Sequence, residues 1–236
     1  NMAKKRISDV LIEVLANAGI ERIYGITGDS LNSVNDSLRR NGKIAFEHVR
    51  HEETAAFAAG AEAALTHKLT VCAGSSGPGN LHLINGLFDC HRNRVPVLAI
   101  ASHIPQSEVG LNYFQETHPE NLFKECSCFC ELVSNPKQMP EILFRAMNAA
   151  VGNQDVAVIV LPGDVAVMET EIDELPVWHH PRLPHIVPQR EDIEEMAAHL
   201  EKGERITLFC GAGCEGAHDE VVELAKRLQA PVVHAF

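Results

Sequence analysis

The chain has 236 residues, 45% hydrophobic and 22% charged, with a formal net charge of −12, enough for one large domain or two small ones with an apolar core. The acidic balance, with no basic cluster beyond Lys4-Lys5-Arg6, argues against nucleic acid or an anionic membrane as partner and favours small molecules. No apolar run approaches the roughly 18 residues of a membrane span, so membrane contact is not encoded in this segment.

Asn1, ahead of Met2, is read as a cloning remnant. Ile7, Val10, Leu11, Val14 and Leu15 recur at helical spacing and Gly19 closes that helix, so the N-terminus is expected to lead into an amphipathic helix rather than a signal peptide. A buried strand over 22–27, the turn Gly28-Asp29-Ser30, a helix to Arg40 and a strand over 44–49 follow. The Ala-rich run 52–65 favours a helix with Glu52 at its N-terminus. A strand over 70–73, the turn Gly74-Ser75-Ser76-Gly77-Pro78-Gly79 and a helix to about Cys90 come next. Then come a strand over 96–102, a long loop, a strand over 126–133, a helix over 140–151 and a strand over 157–161. Short, uniformly apolar strands between helices predict an α/β fold: a parallel sheet covered by helices on both faces. Active loops belong at the carboxyl ends of its strands.

The seven cysteines are scattered through apolar segments, which suggests reduced thiols and a cytoplasmic protein. Cys126, Cys128 and Cys130 alternate along the strand expected at 126–133. They lack Cys-x-x-Cys metal spacing and are expected to be small core residues on one face. From 176 to 189 the composition shifts to Pro176, Pro181, Pro184 and Pro188 with His179-His180, a linker. The two histidines lack a carboxylate or Cys at ligand spacing and are read as solvated. Beyond the linker come a helix over 190–201, a strand over 206–210, the run Gly211-Ala212-Gly213-Cys214-Glu215-Gly216, a helix to Leu228 and a strand from Pro231. That G-x-G-x-x-G run, expected in strand-turn-helix context, suits a diphosphate at a helix N-terminus. So small a sheet would be poorly buried alone, and the chain is expected to be the N-terminal part of a longer protein.

Taken alone, Glu52 is a dipole partner worth about 0.3–1 kcal/mol. A zinc-protease reading of His51-Glu52 fails because Ala55 stands where the second His would be, and no metal ligand is assigned. In context the residues say more. Tyr24 to Ser30, Arg50 to Ala64, Cys72 to Arg92 and Tyr113 to Pro119 resemble the thiamine-diphosphate enzymes. Within that family the flavin-containing pyruvate oxidases and quinone-linked pyruvate dehydrogenases are the nearest match, and the resemblance covers essentially the whole chain.

The resemblance implies a pyrimidine-binding domain over 4–175, the linker over 176–189, and the start of a Rossmann-like, FAD-type central domain over 190–236. Glu52 would hydrogen-bond the cofactor's aminopyrimidine ring and favour its imino tautomer. That role needs a carboxyl group able to share a proton near neutral pH, which burial favours, so Glu52 is expected in a dry cleft. Ser76, Gly77 and Pro78 would form the turn beside the pyrimidine, with Gly25, Thr27 and Gly28 at the neighbouring strand end. Phe114, Gln115 and His82 would contact substrate, although Phe114-Gln115 also reads as an ordered surface loop and His82 as a core hydrogen-bonder. Gly211 and Gly213 would approach FAD. Mg2+ would be bound through ligands outside this chain, since Gly28-Asp29 is followed by Ser30 and Gly163-Asp164 by Val165, neither of them a Gly-Asp-Gly motif.

The implied activity is oxidative decarboxylation of pyruvate to acetate and CO2, with electrons passing through FAD to a quinone. The implied enzyme is a cytoplasmic homodimer or homotetramer, peripheral association with the inner membrane being left open. These residues alone would be inactive. Acetolactate synthase and phosphate-dependent pyruvate oxidase are the enzyme alternatives, and a pyrimidine-type binding module without turnover is the non-enzyme one.

Overall fold

A computed structural model describes residues 3–172, 174–175 and 177–235, which divide into two compact units over 1–183 and 184–236. The first unit runs β1 (Ala3–Arg6), α1 (Ile7–Asn17), β2 (Arg22–Gly25), α2 (Asn32–Asn41), β3 (Ala45–His48), α3 (Glu52–Thr66), β4 (Thr70–Gly74), α4 (Pro78–Asn93) and β5 (Val97–His103). It continues with α5 (Pro119–Leu122), β6 (Phe129–Leu132), α6 (Met139–Asn153), β7 (Val156–Pro162), α7 (Gly163–Val167) and β8 (Glu169–Ile172).

Six of these strands form a parallel sheet in the order β3-β2-β4-β5-β7-β6. This is the predicted architecture, and its strands show why their apolar runs are continuous. Alternate side chains on a strand point to opposite faces. Val71, Leu98, Ile100, Ala157 and Ile159 join one core with α1, α2 and α6. Cys72, Val97, Ala99, Val156 and Val158 join the other with α3 and α4. Both faces are dry, so every residue of β4, β5 and β7 is buried. The chain first steps from β2 outward to β3 and then back past β2 to β4. That reversal opens a crevice at the carboxyl ends of β2 and β4, where open α/β sheets place their ligands.

Several expectations need correction. The chain enters α1 from a strand, since β1 pairs antiparallel with β8 (Lys5 opposite Thr170). The strand over 22–27 ends at Gly25, and the strand over 126–133 shrinks to Phe129–Leu132. The three cysteines do not share a core face: Cys126 is buried before the strand, Cys128 is exposed and Cys130 is half-buried. A turn explains this, because the Cys126 amide N–H and the Ser127 hydroxyl both donate to the Phe123 carbonyl before β6 begins. Within the predicted linker His179 and His180 are exposed, as expected, while Trp178 packs. Trp178 is 7% exposed and its indole N–H donates to Asn148 Oδ1 at 2.9 Å. Pro176 and Phe236, the outer residues of the predicted linker and last domain, lie outside the described residues.

The second unit contains α8 (Arg190–Glu201), β9 (Leu208–Cys210), α9 (His218–Leu228) and β10 (Val232–His234), with β9 and β10 parallel. Neither helix buries a residue, and Ile193, Met196 and Phe209 are exposed. The glycine run does not open α9 directly. A 3-10 turn at Ala212–Cys214 intervenes, and the first turn of α9 carries Asp219 and Glu220.

Candidate active site

Glu52 is the first residue of α3, just beyond the carboxyl end of β3. His51 caps the helix in extended conformation, its Nδ1 accepting the Glu53 amide N–H at 3.2 Å. This local device fixes where α3 starts and turns Glu52 inward, where it is 8% exposed. Small residues then let α4 approach α3 closely: a Cβ on Gly86 would meet the Ala56 Cβ at 2.5 Å and the Glu53 carbonyl at 2.7 Å. Ala56 and Gly86 lie one helical turn beyond Glu52 and His82, so the close crossing brings those two together. His82 Nδ1 sits 3.1 Å from Glu52 Oε2. The His51 and His82 rings stack with centroids 4.3 Å apart. The other carboxylate oxygen, Oε1, lies 3.3 Å from where a Cβ on Gly79 would sit. A buried carboxylate is thus held on one oxygen by an imidazole and on the other faces backbone with no side chain.

The glycine-rich turn joins β4 to α4. Gly77 caps α4 at φ +66°, ψ −114°, with Pro78 at the first helical position, where its missing N–H costs nothing. A Cβ on Gly77 would lie 2.7 Å from the Gln115 Cβ. The Ser76 hydroxyl donates to Gln115 Oε1 at 3.3 Å. Ser30, after β2, binds this turn: its Oγ accepts the Ser76 amide N–H at 2.9 Å and lies 2.9 Å from Ser75 Oγ. Ser102, at the end of β5, donates to the Ser30 carbonyl, and the Asn80 side-chain N–H donates to the Ser102 carbonyl at 2.7 Å. Beyond the last ladder pairs, the segments that leave β2, β4 and β5 are sewn together by serine hydroxyls and the Asn80 amide.

Beside this knot is a cavity of about 330 Å³ lined by Ser30, Ser76, His103, Tyr113, Phe114 and Gln115. His103 is 3% exposed, and its Nδ1 has no hydrogen-bond partner among the described residues. Burial holds its pKa below the ordinary histidine value. Across the rim, the Gly110 and Tyr113 amides donate to the Glu116 carboxylate and lower its pKa, tying down the loop that carries Phe114 and Gln115.

The structure thus brings Glu52 to His82, and Gln115 to Ser76 and Gly77. Phe114 lines the cavity with 79% of its surface exposed. Gly25 is buried in the sheet, where a Cβ would meet the Ala73 carbonyl at 2.8 Å. Thr27 and Pro78 are exposed, and Gly28 abuts Ser75. Gly211 and Gly213 belong to the other unit, with nothing within 4 Å of a Cβ on Gly213. Sequence reasoning missed Ser30, Ser75, Ser102 and His103. Position at the carboxyl end of β5 is the signal that could have found His103.

The residues present suit the pyrimidine end of thiamine diphosphate, with a buried carboxylate beside a side-chain-free backbone. They do not suit its Mg2+. Asp164 already accepts the Gln106 and Val165 amides, and Asp29 accepts from Asn32.

The family profile described as thiamine pyrophosphate enzyme, N-terminal TPP binding domain, matches residues 5–122, and the profile for the central domain of the same enzymes matches 193–236. An uncharacterized 42.6 kDa protein in the isoamylase 3' region of Pseudomonas amyloderamosa is 58% identical over 236 residues, all of this chain and 60% of the relative. A pyruvate oxidase of Lactiplantibacillus plantarum is 32% identical over 96% of this chain and 38% of its own length. An acetolactate synthase of Arthrospira platensis is 32% identical over 98% of this chain and 42% of its own length. The chain therefore spans between 38% and 60% of these relatives.

Proposed function

Since the chain belongs to the thiamine pyrophosphate enzyme family, we propose that it forms the pyrimidine-binding part of an enzyme that oxidatively decarboxylates pyruvate to acetate and CO2. The electrons would go to a quinone. The observation that carries the cofactor half of this reading is the buried Glu52 carboxylate, held on Oε2 by His82 at 3.1 Å. Thiamine diphosphate supplies a carbon nucleophile for a 2-oxo acid and a sink for the electron pair left by departing CO2. Glu52 supplies a carboxylate that can hydrogen-bond a ring nitrogen away from bulk water, where such a bond is strong. His82 fixes which oxygen is free. The Gly77 turn aims Ser76 and Gln115 into the cavity, where His103 offers an unpaired ring nitrogen to a substrate oxygen.

The oxidase branch rests on the segments around Tyr24, Glu52, Ser76 and Phe114, together with the pyruvate oxidase relative. The acetolactate synthase relative is equally identical, and that reaction is the second reading. For FAD the fit is poor where it was expected, because Asp219 and Glu220 oppose a diphosphate at the start of α9. Mg2+ ligands from outside these residues, self-association and a cytoplasmic setting complete the proposal.

The test is anaerobic, pyruvate-dependent dye reduction by the full-length gene product, with Glu52→Gln lowering kcat by about 10²–10⁴. Acetolactate formed without dye reduction would assign the synthase. Acetyl phosphate formed only when phosphate is present would assign the phosphate-using oxidase. Tight thiamine diphosphate binding with no turnover would leave a binding module.

A further inference from the structure

We propose that His51, Glu52 and His82 form a site for a borderline divalent metal ion of the Zn2+ and Co2+ class, one whose occupancy excludes the cofactor's pyrimidine from Glu52. The i, i+4 spacing of a zinc helix is absent from the sequence here. The crossing of α3 and α4 supplies the missing donor instead, carrying His82 in from 30 residues along the chain. One ligand atom from each of the three residues lies within 4.8 Å of the others.

Two imidazoles and one carboxylate, with an open side for water, make up the donor set of several catalytic zinc sites. Nitrogen donors select this class over Mg2+ and Ca2+, which take oxygen. In a tetrahedral site with bonds of about 2.0–2.1 Å, donors stand about 3.3 Å apart. The cluster must therefore close by up to about 1.5 Å from its 4.8 Å spread. The half that must move is free to do so, since the His51 and His82 side chains are each 46% exposed, while the Glu52 side chain that stays is 11% exposed. The parallel stack of the two rings has to tilt so that their lone pairs converge. His51 must also give up its cap on the Glu53 amide. That bond uses the Nδ1 lone pair, and a metal on Nε2 would force the ring proton onto Nδ1. The cost is that capping bond and the His82–Glu52 hydrogen bond, set against three coordinate bonds.

The exclusion half of the proposal rests on the Glu52 role argued above, whereas metal binding itself does not. The probe is Co2+ added to the chelator-treated protein without thiamine diphosphate or Mg2+, read by visible absorption, with Zn2+ displacement by calorimetry. One equivalent with intense tetrahedral-type bands is expected, and His82→Asn should weaken it at least tenfold. His51→Asn should do the same while keeping a side chain that caps α3, so its loss of binding cannot be blamed on misfolding. A His179→Asn, His180→Asn double variant should retain the bands. Absence of the bands, or bands unchanged in His82→Asn, overturns the site. Bands that require His82, together with unchanged thiamine diphosphate affinity of the full-length protein at saturating Zn2+, would keep the site. They would overturn the exclusion, while the Glu52→Gln loss of turnover reads the role of Glu52 on its own.

Discussion

Gly77→Ala tests whether the turn at the head of α4 is shaped by contact with Gln115. Gly77 sits at φ +66°, ψ −114°, a region L-residues avoid at a cost of about 1–3 kcal/mol. A Cβ there would also lie 2.7 Å from the Gln115 Cβ and 3.0 Å from its carbonyl oxygen. Gln115 itself holds φ +65°, so its backbone cannot swing away freely, and overpacking adds about 1–3 kcal/mol. The loss of unfolded-chain entropy returns about 0.4–1 kcal/mol, leaving a net destabilisation of about 1–5.5 kcal/mol. Gly19→Ala isolates the backbone part, because Gly19 has φ +84° and nothing within 4 Å of its Cβ; it should cost about 1–2 kcal/mol. Urea unfolding is followed by the fluorescence of Trp178, the single tryptophan and a buried residue of the first unit, so the second unit does not blur the transition. A Gly77→Ala penalty no larger than that of Gly19→Ala would refute the contact argument.

Ser30→Ala removes the acceptor of the Ser76 amide and the partner of Ser75; it should cost about 1–3 kcal/mol in the same assay, and a loss below about 0.5 kcal/mol would mean the knot is ornamental. His103 titrates below its ordinary 6.5 because of burial, against the raising pull of Glu120, Glu116 and Asp164 and alongside the lowering effect of His118. Below about pH 6.5 the unfolded chain binds a proton that the folded chain refuses, so stability falls as pH drops from 6.5 toward the folded pKa. His103→Gln should flatten that part of the pH-stability curve, and an unchanged slope would show that His103 does not titrate as described. Burial pushes the Cys90 thiol up to about 12 and Cys126 up to about 11, and Cys72 well above its ordinary value. These three should react with a disulfide reagent at pH 8 only after unfolding, whereas half-exposed Cys214 should react at once; fast labelling of Cys90 in the native protein would contradict the packing.

Much of the fold was legible because it is local. The apolar stripe of α1, the Ala-rich body of α3 behind a capping His, the glycine turn before α4 and the unbroken apolar strands all report their own burial or backbone needs, and together they specify a parallel sheet covered on both faces. Local reasoning put Glu52 at a helix N-terminus and a turn at Ser76-Gly77-Pro78, while their roles at a site came from the family resemblance. What it did not reach are contacts between residues far apart in the chain. The β1–β8 pairing joins the two ends of the first unit, and neither strand has a composition that names its partner. The burial of Cys126 apart from Cys128 depends on a turn closed onto Phe123. The union of Glu52 with His82, and of Ser30 with Ser75 and Ser102, depends on how closely α3 and α4 cross and on which strand ends meet. Side-chain periodicity states which face of an element is apolar. Only the packed sheet decides which polar groups those faces bring within a hydrogen bond of each other.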